Sequence, residues 1–580
     1  MHMTEWGEAL DPEHILPEYP RPQMVRPQYT ILNGAWDYAI TGSDACPDRW
    51  DGTILVPFSP EAPLSGVGRD VGPKDRLWYR RTLREQPRET GRLLLHIGAA
   101  DQMATVFLNG QELYSHIGGY TAFTVDLTDT LRAGENVLTV RVRDLSDTCE
   151  LSRGKQKTKR GGIWYTRQSG IWQTVWTEWV PDQYIERLRI VPDFDRSQVE
   201  LTVCAAGSAV CYVTFDGGTY GCRTNTPLHL TLPQFTPWTP ENPKLYPFSV
   251  TLGSDRVESY FAMRKIELRP DSTGTPRLFL NGTPCFESGV LDQGYWPDGL
   301  YTAPADDAFV HDILAMKSLG FNLLRKHIKV EPLRFYYHCD RLGMLVWQDM
   351  PSGGGRYNPL TVSAPLLTGR HRDDHAYRAF ARRDERARKH FRLELREIVT
   401  QLGNSPSIVL WVPFNEGWGQ FEARETAKLL RQLDPCRLID HASGWHDQGV
   451  SDVKSLHVYF RPYRFRPDDK GRAVVLSEFG GYTLALPEHR WGEKVFGYKR
   501  FDRAEDLLTA FLALYEQEIV PAVPKGLSAA VYTQLSDVED ECNGLLTYDR
   551  RVCKLPAEPI RALNARLRAL GGPEQAEQRP

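Results

Sequence analysis

The chain has 580 residues, 41% of them hydrophobic and 25% charged, with a formal net charge of −4. This is globular composition with length for several cores, and it offers no large basic field to attract nucleic acid. No apolar run is long enough to cross a bilayer, which argues against a membrane protein. Residues 1 to about 182 read as β structure. RLLLHIGAADQMATVFLNGQELYSH, NVLTVRVRD and WQTVWTEWV alternate in short runs broken by Gly, Asn and Pro, the pattern of a sandwich or jelly roll. Residues 183–267 hold further short strands, YIERLRIVPDF, QVELTVCAAG and YPFSVTLGS, joined by the proline-rich FTPWTPENPKLYP, and suit one immunoglobulin-like β-sandwich.

From residue 268 apolar runs alternate with amphipathic stretches such as DAFVHDILAMKSLG and RARKHFRLELREIVTQLG. The apolar runs are PCFESGVLDQ, FNLLRKH, GMLVWQDMP, SIVLWVPFNE, CRLIDHAS, SLHVYF, AVVLSEFGG and LSAAVYTQLSD. Eight such units over residues 268–572 predict a (β/α)8 barrel, and residues 573–580 form a fraying tail. An open doubly wound sheet is the alternative, weakened by the absence of Gly-x-Gly-x-x-Gly after a strand. The start, MHMTEWGEALDPEHILPEYP, has neither a basic n-region nor an apolar signal core. The ten cysteines show no Cys-x-x-Cys spacing. Both features set the expectation of a cytoplasmic chain with reduced thiols.

The most informative stretch is SIVLWVPFNEGWGQFE, Ser407 to Glu422. A continuous apolar run reads as a strand covered on both faces, and this one ends in Asn415-Glu416. Glu478, in AVVLSEFGGY, follows a second such run. Counted along the chain, Glu416 ends strand four and Glu478 ends strand seven, so in a barrel both open onto the C-terminal face where chemistry sits. Two carboxylates across a pocket are what glycoside cleavage needs. One, protonated, gives its proton to the leaving oxygen; the other, ionised, attacks the anomeric carbon or activates water. A separation of about 5–5.5 Å gives retention and about 6.5–9.5 Å inversion.

These residues resemble glycoside hydrolase family 2, the family of β-galactosidases, β-glucuronidases and β-mannosidases. The resemblance rests on WYRRTL and SGIWQTVW in the first region, GFNLLRKH near strand two, Asn415-Glu416 and LSEFGGY. It covers nearly the whole chain and implies a sugar-binding jelly roll, an immunoglobulin-like sandwich and a catalytic TIM barrel. It implies an exo-acting, retaining hydrolase with Glu416 as acid/base and Glu478 as nucleophile. It further implies that Asn415 bonds the sugar 2-hydroxyl, that Tyr459 in HVYF holds the nucleophile, and that Arg325 supports it. No cofactor is implied. Family members are often dimers or tetramers, which leaves a homo-oligomer open.

Position at strand ends adds further candidates. His327 ends strand two with Arg325. Asp292 ends strand one, as a sugar contact or a loop anchor, with Trp296 nearby as a stacking platform. Trp347 and Asp349 end strand three, Asp349 binding a sugar hydroxyl or capping its loop. His441 and Trp445 follow strand five, and His457 ends strand six. Where relatives place a Trp after strand eight, this chain offers Tyr532 or Gln534. The family's glucuronidases also carry an Asn-x-Lys pair there, and CNGLLTYDR has no lysine two after Asn543, which argues against a glucuronide. Arg356, Arg370 and Arg372, in the long loop after strand three, are alternative sources of a cation. Asp373-Asp374 and the acidic run 537–541 read as solvated loops or caps, so no metal is expected. The substrate is thus expected to be a carbohydrate. The leading reading is a β-galactosidase-like enzyme, followed by a furanosidase (α-L-arabinofuranoside or β-galactofuranoside) or a uronidase. A transglycosylase and a non-catalytic carbohydrate-binding protein are the remaining classes.

Overall fold

A computed structural model describes residues 3–572; the tail expected at 573–580 lies outside the described residues. The first β region is a two-layer sandwich. A four-stranded sheet (Tyr29–Ile31, Val175–Val180, Arg92–Ile97, Phe123–Asp126) faces a six-stranded one running from Gly52–Val56 to Gln111–Ile117. Its core is the set of inward residues that strand alternation predicts, including Trp36, Leu77, Tyr79, Leu95, Val106 and Val140. A second sandwich pairs a three-stranded and a four-stranded antiparallel sheet between Arg187 and Phe261.

Eight parallel strands follow: β1 (Glu287–Asp292), β2 (Leu323–Lys326), β3 (Leu345–Asp349), β4 (Ile408–Val412), β5 (Leu438–Ile439), β6 (Val453–Val458), β7 (Ala473–Gly480) and β8 (Leu527–Thr533). They pair in the order β5-β4-β3-β2-β1-β8-β7-β6. The β5–β6 seam has no ladder and is closed by Asp452, whose N–H donates to Ile439 O at 3.1 Å and whose carboxylate accepts from Ile439 N–H at 2.8 Å. Around this ring lie α1 (Asp306–Ser318), α2 (Leu333–Leu342), α3 (Glu385–Leu402), α4 (Ala423–Leu433), α5 (Ala504–Leu514) and α6 (Ala557–Gly571). The strands read as continuous apolar runs because both faces are buried. Leu323, Leu345, Trp347, Leu410, Val475 and Val531 fill the barrel, while Leu324, Val346, Trp411, Leu476 and Tyr532 pack under the helices. A hairpin, Ile266–Pro270 with Pro276–Leu280, contributes Ile266 and Leu278 to the inner core.

Residues before the first sandwich strand tie the three regions together. Thr4 donates its N–H and hydroxyl to Asp298 of the barrel. Arg26 bridges Glu178 of the first sandwich (3.1 Å) and Asp255 of the second (2.9 Å). These segments are polar and irregular, so periodicity alone carries no sign of their docking.

Candidate active site

Alternation along each strand decides which residue reaches the barrel mouth. On β2, Leu323 and Arg325 point inward, while Leu324 packs under the helices. On β7 the alternation breaks. Register shifts against both neighbours between Leu476 and Phe479 form a bulge. Ser477 and Glu478 consequently both face inward: Ser477 Oγ bonds Ser455 Oγ, and Glu478 meets Arg325. Beyond β4 the chain turns with Glu416 in the left-handed region, φ +50°. That conformation costs a non-glycine residue about 1 kcal/mol or more. It is held by the Glu416 N–H donating to Ser443 O at 2.9 Å.

Arg325, fully buried, organises the floor. Its Nε and Nη2 donate to Asp349 at 3.1 and 2.9 Å, its Nη2 also to Asn415 Oδ1 at 2.8 Å, and its Nη1 to Glu478 Oε1 at 3.1 Å. Glu478 Oε2 accepts from the Tyr459 hydroxyl at 2.6 Å. His457 lies between the two acids, its Nδ1 2.8 Å from Glu416 Oε1 and 3.5 Å from Glu478 Oε2. Its Nε2 faces Ser443 Oγ (3.1 Å) and Arg325 Nη1 (3.5 Å). One carboxylate oxygen from each glutamate and His457 Nδ1 lie within 4.8 Å of one another. Asn415 Nδ2 is buried without a partner among the described residues.

The two carboxyls differ electrostatically. Burial pushes Glu416 above the usual carboxylate range, and the nearby Glu478 charge adds to this against the opposing His457 hydrogen bond. Burial acts on Glu478 too, but His457, Arg325, Lys155 and the Tyr459 hydroxyl outweigh it and hold Glu478 below that range. Glu416 therefore holds its proton more tightly than Glu478 does. Burial also holds His327 neutral; its Nδ1 is 2.7 Å from Asp349 Oδ2.

The structure thus brings together Glu416, Glu478, Asn415, Tyr459, Arg325, His457 and, behind Arg325, Asp349 and His327. Trp445 is half-buried at the mouth, its ring 6.4 Å from His457. Other candidates lie elsewhere. Trp296 is no stacking platform: it is 2% exposed, enclosed by Trp6 and Phe309 with Arg550 over its ring at 4.2 Å. Trp347 fills the barrel interior and donates to Glu287 at 2.6 Å. Asp292 is an anchor, pairing with Lys326 at 2.6 Å and accepting from Gly294 N–H at 2.9 Å. Asp349 takes up its oxygens on Arg325 and His327 rather than on a sugar. His441 pins the loop after β5 through Ser451 and Gln448. Tyr532 points outward to Phe479 and Phe511, and Gln534 clamps Gln293 to Asn543. The β8 residue at the mouth is Thr533, whose Oγ1 is 2.8 Å from the Tyr459 hydroxyl. Arg356, Arg370 and Arg372 are exposed.

Sequence reasoning missed what the first sandwich contributes. Residues 150–167 cross to the barrel mouth. Arg153 N–H and Gly154 N–H donate to Ser352 O at 2.8 and 3.0 Å, and Thr166 N–H donates to Glu539 at 2.9 Å. Trp164 stacks on Tyr357 and lies 5.0 Å from Trp418, two residues past Glu416. Lys155, on the same segment, is buried. The run SRGKQKTKR was a visible signal of charge, but not of where it docks.

Among the described residues, two groups have the donor types of a metal site. Glu416, His457 and Glu478 are one, but Arg325 and Tyr459 already donate to both Glu478 oxygens, and the ammonium of Lys155 acts on both acids. Asp373, Asp374 and His375 are the other; there Asp374 accepts from Gln420 and from Ala423 N–H at the start of α4, and Asp373 bonds His375. Both sets are better explained by their hydrogen bonds than by a cation.

Two models of glycoside hydrolase family 2 match the chain. Residues 302–471 match the family's TIM barrel domain and residues 70–178 its galactose-binding domain-like module. The barrel match contains Glu416 and ends before Glu478. Among sequence relatives, a β-galactosidase of Thermoanaerobacter pseudethanolicus is 23% identical over 62% of this chain and 47% of its own length. A β-galactosidase of Actinobacillus pleuropneumoniae is 25% identical over 80% of this chain and 49% of its own. The chain therefore spans about half the length of these relatives. Among solved structures, a β-D-glucuronidase of Dictyoglomus thermophilum superposes with TM-score 0.72 at 16% identity, covering 95% of this chain and 98% of that one. A galacturonate-bound β-galacturonidase of Eisenbergiella tayi gives 0.69 at 19%, covering 94% and 99%. At these identities the superpositions establish the three-part fold.

Proposed function

We propose that the protein is a retaining exo-glycosidase. The observation that carries this reading is the Glu416–Glu478 pair, with oxygens within 4.8 Å and pKa shifts of opposite sign. This proximity supports retention, since the carboxyl groups of an inverting pair stand about 6.5–9.5 Å apart to admit a water. Glu478 attacks the anomeric carbon as Glu416 passes its proton to the leaving glycosidic oxygen. Glu416, now a carboxylate, takes a proton from water, whose oxygen displaces Glu478 and frees the sugar. Asn415 Nδ2 is placed to donate to a sugar hydroxyl, and Arg325 and Tyr459 keep the nucleophile ionised. Action on a terminal sugar is supported by depth: Glu416 and Glu478 are 7% and 5% exposed beneath walls from two domains. The relatives' names include neutral and acidic sugars, so they do not choose between a β-galactoside and a uronide. An intact pair of acids weighs against a non-catalytic binding role.

The test is a panel of aryl glycosides carrying β-galactose, β-glucose, β-mannose, β-xylose, β-glucuronate, β-galacturonate, α-L-arabinofuranose and β-galactofuranose. Cleavage of one sugar by the native chain and its loss in Glu478→Ala support the proposal. Hydrolysis that survives Glu478→Ala overturns it.

A further inference from the structure

Five of the eight residues from Arg153 to Arg160 are cationic, in a chain whose net charge is −4. The segment belongs to the first sandwich yet lies on the barrel mouth. Gly154 permits the approach: its φ is +64°, and a Cβ there would stand 2.8 Å from Ile328 O and 2.7 Å from the Tyr301 hydroxyl. Two of the cations are structural. Arg153 donates to Gly354 O, and Arg160 pairs with Glu539 and Asp540. Lys155 and Lys157 are different. Neither ammonium has a hydrogen bond or ion pair among the described residues. Lys155 is 6% exposed, with Nζ 5.7 Å from the ring centre of Tyr165 and 5.8 Å from that of Trp418; Lys157 Nζ sits 3.9 Å over Trp164. Trp418 lies two residues past Glu416, so Lys155 stands at the same turn of the barrel mouth, and its charge acts on Glu416, Glu478 and His327.

A buried cation with no direct ion pair or hydrogen bond is costly, and Glu416 and Glu478 act on Lys155 only without contact. At this place it is doubly unfavourable for a neutral sugar, because positive charge builds on the sugar ring in the transition state and a neighbouring ammonium opposes it. A fixed negative charge on the substrate removes both penalties. We propose that Lys155, delivered by the first sandwich, is the specificity-determining residue that pairs with the acidic group, a carboxylate or a sulfate ester, of an anionic terminal sugar. Lys157 extends the same cationic, aromatic-faced wall outward. This rests on reading Glu416 and Glu478 as the reacting pair. It assigns the missing cation to a segment distant in sequence from both the β8 loop and the arginines after β3.

The experiment compares the full chain with Lys155→Met and Lys155→Arg on matched 4-nitrophenyl glycosides: β-D-galactoside with β-D-galacturonide and 6-O-sulfo-β-D-galactoside, and β-D-glucoside with β-D-glucuronide. Methionine keeps the apolar stem between the two rings, and arginine keeps the charge. The expected result is that the native chain prefers a charged member. Lys155→Met should lower kcat/KM on the charged member about 10- to 100-fold more than on its neutral partner, the worth of one charge-assisted hydrogen bond. Arginine should retain most of the charged-sugar activity. Which charged substrate responds identifies carboxylate or sulfate. Preference for the neutral member, or equal losses on both, overturns the proposal. Failure of the reacting-pair reading looks different: no turnover of any substrate, or turnover that survives Glu478→Ala. Calorimetric titration with free galacturonate, glucuronate, galactose 6-sulfate and galactose then decides the role of Lys155. Binding of an acidic sugar that Lys155→Met abolishes supports it; acidic-sugar binding that is absent, or unchanged by the variant, overturns it.

Discussion

Arg325 and Lys326 are adjacent on β2 and both buried, yet alternation sends them into two unlike clusters of charge. Lys326 meets Asp292 (2.6 Å) and Glu331 (2.9 Å), and Lys329 joins Glu331 at 2.8 Å. Two ammonium groups face two carboxylates, and Lys329 also donates to Gly294 O and Tyr301 O. Arg325 instead pairs with both Asp349 and Glu478, with Glu416 close by and Lys155 acting on the two glutamates without contact. The balanced cluster fastens the loops after β1 and β2. The unbalanced one has more carboxyl groups than cations, and there Glu416 holds its proton more tightly than Glu478 does. Buried charge anchors when it is matched and becomes reactive when it is left in surplus.

The contrast breaks first at Glu478. Glu478→Ala should lower kcat by about 10⁴-fold or more, at least the upper range for losing a catalytic proton carrier, whereas Lys326→Met should leave kcat within about threefold; steady-state kinetics on both proteins checks this. Glu416→Ala should cost about 10²–10⁴-fold on substrates with poor leaving groups and far less on dinitrophenyl glycosides. The pH profile follows from the shifts. Activity rises as pH climbs through the lowered pKa of Glu478 and falls as pH passes the raised pKa of Glu416, so Glu416→Ala should lose the alkaline limb. In the balanced cluster the readout is stability. Lys326→Met leaves Asp292 without its ion-pair partner and Glu331 with Lys329 alone, and should cost about 3–5 kcal/mol in urea unfolding.

Smaller effects sharpen the comparison. Tyr459→Phe removes one hydrogen bond to an ionised carboxylate, worth about 1.5–3 kcal/mol, so kcat should fall about 10- to 100-fold. Its acid limb should move to higher pH, because the lost bond favoured the ionised form. Tyr532→Phe removes only a hydroxyl that accepts from Tyr482 N–H at 3.2 Å, behind the barrel wall. It should cost about 1 kcal/mol of stability and leave kcat/KM unchanged.

The three-part architecture was legible because each region has its own hydrophobic period: alternation in the two sandwiches and continuous apolar runs in the barrel. The strand ends carrying Glu416 and Glu478 stood out for the same reason, as polar groups closing apolar runs. What periodicity does not specify is direction at the last residue of a strand. One step separates Tyr532, under the helices, from Thr533, beside Tyr459. A bulge turns Ser477 and Glu478 inward together. Trp296 and Trp347 show the opposite error, in which a large aromatic near a strand end belongs to the core because its area is better buried than displayed. Lys155 was hidden for a further reason. Its position depends on the docking of one domain on another through backbone groups of Arg153, Gly154 and Ser352, and no local pattern encodes that contact.

The most direct test of the central claim is the configuration of the first sugar released from a β-glycoside substrate, followed by proton NMR before the anomers equilibrate. A pair of acids as close as Glu416 and Glu478 predicts that the β-anomer forms first and the α-anomer appears only by mutarotation. Initial release of the α-anomer would contradict the double displacement and the assignment of Glu478 as nucleophile.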